Sequence, residues 1–387
     1  MALLQWQTEL RDSVRSPKDL IRFGIITERE LPIIEKIHHY FPFSFTQHYG
    51  KQIDWNNPDD PLRKIVVPSI NETDASGFLD VGGEAENKQD DGVQMKYPST
   101  ALILPVPACF SYCRFCFRKR LFNPDVKGEE ILKNIDEAIK FVKGHPSINN
   151  VLLTGGDPLM AKTAHLRKFL TELRKIEHVK VIRFGTRALS FLPSRITSDP
   201  ELLELLEETS TPDRRVYLMN HFNHPREISS ESTAAANLLL KAGVILANQS
   251  VMLRGVNDSN NILRQLFNNL SEKGIAPYYI FQCKFISGSK HFRVPLHETS
   301  KIFIEATRNL NGLAKRVRLI MAHFSGKIEI LGTEQSSSGK RIFLRYHQAR
   351  DESQIGKIFS FPLPDDAYWL EDLPGTDADP RFRKEKE

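Results

Sequence analysis

Ala108-Cys109-Phe110-Ser111-Tyr112-Cys113-Arg114-Phe115-Cys116-Phe117-Arg118-Lys119-Arg120 sets three cysteines at C-x3-C-x2-C spacing directly after an apolar, β-rich run at 101–106. Outward from that run a rhythm repeats. Further apolar runs lie at 150–154, 179–184, 215–219, 244–253, 277–282 and 317–322, separated by helical patterns at 129–144, 164–176, 200–208, 232–243, 260–273 and 300–310. Near-continuous apolar strands alternating with amphipathic helices predict parallel strands covered by helices. The rhythm alone leaves an open doubly wound sheet and a barrel or partial barrel both available. In either, motifs just after strand ends share one face.

A closed iron–sulfur or zinc site uses four protein ligands. Three thiolates in one loop can instead hold three irons of a [4Fe–4S] cubane and leave the fourth open to a small chelating ligand. Arg114, Arg118, Lys119 and Arg120 add positive charge expected to favour thiolates there. The alternatives are three free cysteines, or a zinc site completed by Cys283 or a histidine. Only four cysteines occur, and three lie in this one loop, so a disulfide framework is excluded and a reducing compartment, the cytoplasm, is expected.

The 387 residues, 40% hydrophobic and 26% charged, can build one large core or two modest ones. The net charge of +5 comes from basic residues interleaved with acidic ones, which does not point to a nucleic-acid surface. No apolar run reaches the roughly 18–20 residues of a membrane helix. The first ten residues lack the pattern of a signal peptide, so none is expected. Residues 1–95 read as an N-terminal helical region and connector, 96–330 as the core and 331–387 as a C-terminal extension. Ser16-Pro17-Lys18-Asp19 and Thr27-Glu28-Arg29-Glu30 look like helix starts. The polar composition of 70–94 predicts a solvated connector or flap, and the tail after Ser353 an extended or surface-docked segment.

Other motifs follow in one order between residues 5 and 330. They are Trp6-Gln7, Asp59-Asp60-Pro61-Leu62-Arg63-Lys64, Lys96-Tyr97-Pro98, Thr154-Gly155-Gly156-Asp157-Pro158, His221-Phe222-Asn223-His224-Pro225 and Asn248-Gln249-Ser250-Val251. Leu253-Arg254-Gly255-Val256-Asn257-Asp258, Pro277-Tyr278-Tyr279 and His291-Phe292-Arg293 complete the series. With the cysteine spacing, they resemble the lysine 2,3-aminomutase family of radical S-adenosylmethionine (radical SAM) enzymes. The resemblance implies an α/β fold, a partial (βα)6 TIM-like barrel with an N-terminal helical region and a C-terminal extension. It implies an isomerase with a [4Fe–4S] cluster on Cys109, Cys113 and Cys116, S-adenosylmethionine and pyridoxal 5′-phosphate. Its expected partners are an amino-acid substrate, an electron donor such as flavodoxin or ferredoxin, and further copies of the chain. No nucleic acid or membrane is expected.

Read from the residues alone, Gly155 and Gly156 permit close backbone approach to a ligand, or simply make a strand-to-helix turn. The resemblance implies that Gly155, Gly156 and Asp157 hold the methionyl amino group of S-adenosylmethionine, with His221 and Gln249 lining the same side. It also implies that Lys327 carries pyridoxal phosphate, a task that needs a neutral amine and hence burial beside cations. Lys96 and Tyr97 match its phosphate side. The arginines that usually flank this tyrosine are replaced by Lys96 and Thr100, and Arg187 is a candidate to compensate.

Arg118 matches the family's arginine for the substrate α-carboxylate, a bidentate task. The two aspartates that hold lysine's distal ammonium are missing: Lys284 stands in place of the first, and no acidic residue lies between Ala306 and Lys327. An ammonium about 4 Å from Lys284 would suffer roughly 1–4 kcal/mol of repulsion. A lysine here resembles the glutamate 2,3-aminomutase variant, so glutamate or another non-lysine amino acid is the expected substrate. The alternatives are lysine, free or protein-bound, a radical SAM enzyme without pyridoxal phosphate, and a non-enzymatic iron–sulfur or zinc protein.

Overall fold

The computed structural model describes residues 3–123, 130–337 and 339–382. Its strands are β1 (Lys88–Asp90), β2 (Val93–Tyr97), β3 (Thr100–Val106), β4 (Asn150–Gly155), β5 (Val181–Thr186) and β6 (Val216–Asn220). They continue as β7 (Ile245–Val251), β8 (Ala276–Phe281), β9 (Arg318–His323), β10 (Gly326–Ser336), β11 (Gly339–Ala349) and β12 (Ile358–Pro362). All twelve form one sheet in chain order. From β3 to β9 each neighbour pairs in parallel, and both flanks are antiparallel. The seven apolar runs are thus the seven parallel strands among the described residues.

Helices cross between them at Ile135–Gly144, Thr163–Arg174, Pro200–Thr209, Ser230–Lys241, Asn260–Glu272 and Leu296–Thr307. Strand periodicity sorts the side chains. Val151 and Leu153 on β4, and Ile182 and Phe184 on β5, are buried under the helices. Their neighbours Asn150, Leu152, Thr154, Arg183 and Gly185 line a central cavity instead. Side chains from β2 to β11 reach that cavity, so the sheet curls around it as a partial barrel.

Local signals set the helix ends. Asn134 accepts from the Asp136 amide, so the first crossover helix begins at Ile135; residue 129, where the pattern was expected to begin, lies outside the described residues. Ser16 and Asp19 form a capping box on Pro17–Arg22. At Thr27 the carboxylate of Glu30 accepts from both the amide and the hydroxyl at 2.8 Å, which makes a turn, and the helix starts only at Leu31.

Residues 70–94 are about half exposed, as expected of a connector, but they are also pinned to the core. Their polar composition conceals two buried carboxylates, Glu72 and Glu84. Glu72 accepts from Arg114 Nε and Nη2 at 2.8 and 2.7 Å and from Lys119 Nζ at 3.3 Å. Arg114, fully buried, also donates to the Pro42 and Phe41 carbonyls at 2.9 and 3.3 Å. One guanidinium of the cysteine loop therefore fastens both the N-terminal region and the connector. A composition average cannot reveal carboxylates whose arginine partners lie 42 and 34 residues away.

The tail docks. β12 pairs with β11, and Trp369, Leu370, Leu373 and Phe382 are buried. No helix of the described residues is long and apolar enough to cross a membrane.

Removing one partner of a buried ion pair costs about 3–5 kcal/mol. Glu72→Ala should therefore lose roughly that much in urea unfolding, and a loss below about 1 kcal/mol would show that the clamp carries no stability.

Candidate active site

The cysteine loop begins where β3 ends, and the backbone of the Thr154–Pro158 motif positions it. The Gly156 amide donates to the Val106 carbonyl at 3.0 Å, and the Asp157 amide to the Ala108 carbonyl at 2.8 Å. A Cβ on Gly156 would lie 2.4 Å from the Ala108 oxygen and 2.6 Å from its nitrogen. Gly155, at φ +104°, occupies the left-handed region that a side chain disfavours. The two glycines thus let the β4 turn pack directly on the root of the cysteine loop.

Asp157 locks that turn. Its carboxylate accepts from the Thr186 hydroxyl at 2.8 and 2.9 Å and from the Arg187 and Leu159 amides at 2.8 and 3.1 Å. Burial pushes it up to about 6. Asn248 and Ser250 do similar work on the next loop. Asn248 Oδ1 accepts from the Phe222 amide at 2.8 Å, and the Ser250 hydroxyl donates to the Phe222 carbonyl at 2.7 Å. Alternation along β7 then turns Gln249 to the cavity, which His221 also lines. Burial, with Arg187 nearby, holds His221 down to about 3, so its ring is neutral.

The cavity of about 470 Å³ brings together Cys109, Cys113, Cys116, Gly156, Asp157, His221, Gln249, Lys96, Tyr97, Arg118, Lys284 and Lys327, with Gly155 in the turn beside it, whereas Arg114, Lys119 and Arg120 do not line it. None of the three cysteines is in a disulfide, and burial pushes all three thiols up, Cys116 to about 11. Arg118 and Lys119 of the same loop pull Cys116 down, as expected, but burial outweighs them, and the loop's cations are also shared with acids. Arg114 and Lys119 pair with Glu72, while Arg120 pairs with Glu84 and Glu130. A metal binding there must displace protons.

Arg187 does not compensate on the phosphate side. It is buried with Nη1 2.9 Å from Cys113 Sγ. Arg183 is the arginine beside Lys327, its Nε donating to Asn150 Oδ1 at 2.9 Å. It was missed in the sequence, although a charge inside a buried strand is itself a sign of a polar cavity.

Lys327 lies on β10 rather than in a loop. It pairs with Ala322 and Gln348 on the neighbouring strands, and Nζ donates to Gln348 Oε1 at 2.8 Å. Burial, then Arg183 and Lys284, lower it to about 7. Lys96, whose Nζ donates to the His323 carbonyl at 2.5 Å, is lowered to about 7 and Lys284 to about 8, both chiefly by burial. Arg118 gives its Nε and Nη2 to Glu84 at 3.0 and 2.7 Å and its Nη1 to the Thr154 hydroxyl at 2.8 Å. Arg120 and Lys284 add to Arg118 in holding Glu84 down at about 2 against its burial.

The residues fit a bound cluster and its ligand on one side of this cavity. His221 Nε2, Asn220 Oδ1 and Ser111 Oγ are buried there with no partner among the described residues, beside three thiols and the Gly156 turn. The second part of the cavity, with Lys96, Arg183 and Lys327, fits an anionic cofactor that needs a neutral amine.

The sequence model of the radical SAM superfamily matches residues 103–266, which places the chain in that class. A chain of Aquifex aeolicus (strain VF5), provisionally named L-lysine 2,3-aminomutase, is 43% identical over 90% of this chain and 91% of its own. L-lysine 2,3-aminomutase of Clostridium subterminale is 36% identical over 78% and 71%, and that of Bacillus subtilis (strain 168) 32% identical over 96% and 78%. The chain belongs to the lysine 2,3-aminomutase family of radical SAM enzymes, which are isomerases.

Gly156→Ala should displace the cysteine loop. Iron bound after anaerobic reconstitution should fall several-fold, while Gly144→Ala, whose Cβ meets nothing within 4 Å, should leave it unchanged. Full iron in Gly156→Ala would contradict the close-contact role.

Proposed function

We propose that this radical SAM 2,3-aminomutase moves the α-amino group of glutamate, or another amino acid with a non-cationic side chain, to the β-carbon. Cys109, Cys113 and Cys116 hold a [4Fe–4S] cluster. Gly155, Gly156, Asp157, His221 and Gln249 form the S-adenosylmethionine side. Lys327 carries pyridoxal phosphate, with Lys96, Tyr97 and Arg183 toward its phosphate. When bound, these groups supply the one-electron chemistry that removes a hydrogen no side-chain base can ionise, and an electron-accepting ring on the migrating nitrogen.

The observation that carries the substrate reading is the cavity's charge inventory. Six basic side chains line it, Lys96, Arg118, Arg183, Arg187, Lys284 and Lys327, against Glu84 and Asp157. Both acids are engaged, Glu84 by Arg118 and Arg120, Asp157 by Thr186 and two amides. Among the described residues no unengaged carboxylate lines the cavity to receive a distal ammonium. Lys284 lines the cavity, which supports a role in meeting a side-chain carboxylate.

Arg118 keeps a face for the α-carboxylate. Glu84 takes its Nε–Nη2 edge, which leaves one N–H on each of Nη1 and Nη2 for a bidentate contact. Glu84 thereby orients the fork. Lys327, lowered to about 7, offers a neutral amine at neutral pH, which supports its cofactor-carrying role.

The comparisons favour a second reading, lysine, since the relatives are named for it. Offering glutamate, aspartate, alanine and lysine to the reduced, reconstituted enzyme separates the two. Turnover of glutamate above lysine is expected, and Lys284→Asp should lower kcat/KM for glutamate about 10- to 100-fold, the worth of a charged hydrogen bond of roughly 1.5–3 kcal/mol. Turnover of lysine alone would establish the second reading.

Borohydride trapping of pyridoxal phosphate should label Lys327. The yield should fall as pH drops through about 7, because the amine protonates, and should level off above it. Labelling elsewhere, or a yield still climbing toward pH 10, would contradict the assignment.

A further inference from the structure

We propose that Arg187 sets the reduction potential of the cluster through a hydrogen bond to the Cys113 sulfur. The inference rests on the reading of the three cysteines as cluster ligands. Arg187 follows β5 directly, and its own amide is fixed by Asp157 at 2.8 Å. Its guanidinium lies over the Phe191 ring, 4.0 Å from the centroid. One arm, Nη1, reaches Cys113 Sγ at 2.9 Å, and the other, Nη2, pairs with Glu227.

Glu227 is itself held by several donors. Fully buried, it accepts from the Tyr49 hydroxyl at 3.0 Å, the Ser190 hydroxyl at 2.9 Å, and the Asn223 and His224 amides at 2.5 and 3.0 Å. An anion held by so many donors anchors one arm of a planar fork, and planarity then aims the other arm at the sulfur. The scaffold draws on three separate parts of the chain, and its outward product is a single N–H on a thiol.

The other cations near the loop are spent on acids, as Glu72 takes Arg114 and Lys119, and Glu84 takes Arg118 and Arg120. Arg187 is the side chain found hydrogen-bonded to a cysteine sulfur of the loop among the described residues. Reduction adds one electron to the cluster. A cationic N–H on a ligand sulfur stabilises the more negative, reduced form and raises the potential. The site is buried, so water screens the contact weakly. Glu227 opposes the effect from farther away, which leaves the direct N–H···S contact dominant.

The test compares wild type, Arg187→Lys and Arg187→Gln after anaerobic reconstitution, by iron analysis and by redox titration followed with electron paramagnetic resonance. Lysine keeps the charge but cannot span Glu227 and Cys113 together; glutamine loses the charge as well. Both variants should bind wild-type iron, yet at a fixed applied potential the ratio of reduced to oxidised cluster should fall about tenfold, a shift of about 59 mV for one electron. Full iron with an unmoved potential in both variants overturns the inference alone. A wild-type chain that takes up no iron overturns the ligand assignment and the inference with it. Should neither variant assemble a cluster, resonance Raman spectra of wild type in light and heavy water decide. A deuterium-dependent shift of a terminal Fe–S stretch supports the hydrogen bond, and its absence overturns it.

Discussion

The peptide of Gly156 lies against the peptide of Ala108 with no room for a side chain between them, and the placement of the cysteine loop depends on that approach. Two amide hydrogen bonds cross the contact, to Val106 and to Ala108. They fix the loop at the carboxyl ends of β3 and β4, where parallel strands open onto a shared cavity. Displace this contact and the thiols, the Asp157 brace and the arginine anchored beside it all lose their common frame.

Around that frame the fold repeats one electrostatic device: a buried carboxylate gripped by a guanidinium. Glu72 with Arg114 fastens the connector and the N-terminal region. Glu84 with Arg118 orients the fork proposed for the substrate carboxylate. Glu227 with Arg187 aims an N–H at Cys113. Each pair is weak evidence for net stability, since burial costs what attraction returns. What each supplies is direction, because a planar fork met by a fixed carboxylate has few orientations left. The consequence for chemistry is that charges near the cysteines are used locally, and the thiols feel burial first.

The parallel strands were legible because each is a short apolar run flanked by turn signals, and the ordered motifs carried the family beyond what strand rhythm could. The cavity residues Cys109, His221 and Gln249 were legible through those motifs, and Lys284 and Lys327 only through the positions the family resemblance implies. Other features were hidden for physical reasons. Glu72 and Glu84 sit in a stretch whose average polarity resembles a solvated loop, and only their distant arginine partners make them structural. Arg187 followed a strand as a cavity residue would, but which ligand it faced depended on Glu227, 40 residues on. Lys327 belongs to β10 because β9 and β11 flank it, a pairing the local sequence does not announce.

The central claim is that three thiolates hold a cubane whose remaining iron is free to bind S-adenosylmethionine. Mössbauer spectroscopy of the anaerobically reconstituted chain, loaded with enriched iron, tests this most directly. Adding S-adenosylmethionine should change the signal of one iron in about four while the others stay as they were, as a three-cysteine cubane requires. A spectrum that does not respond, or a chain that binds zinc in place of iron, would contradict the account.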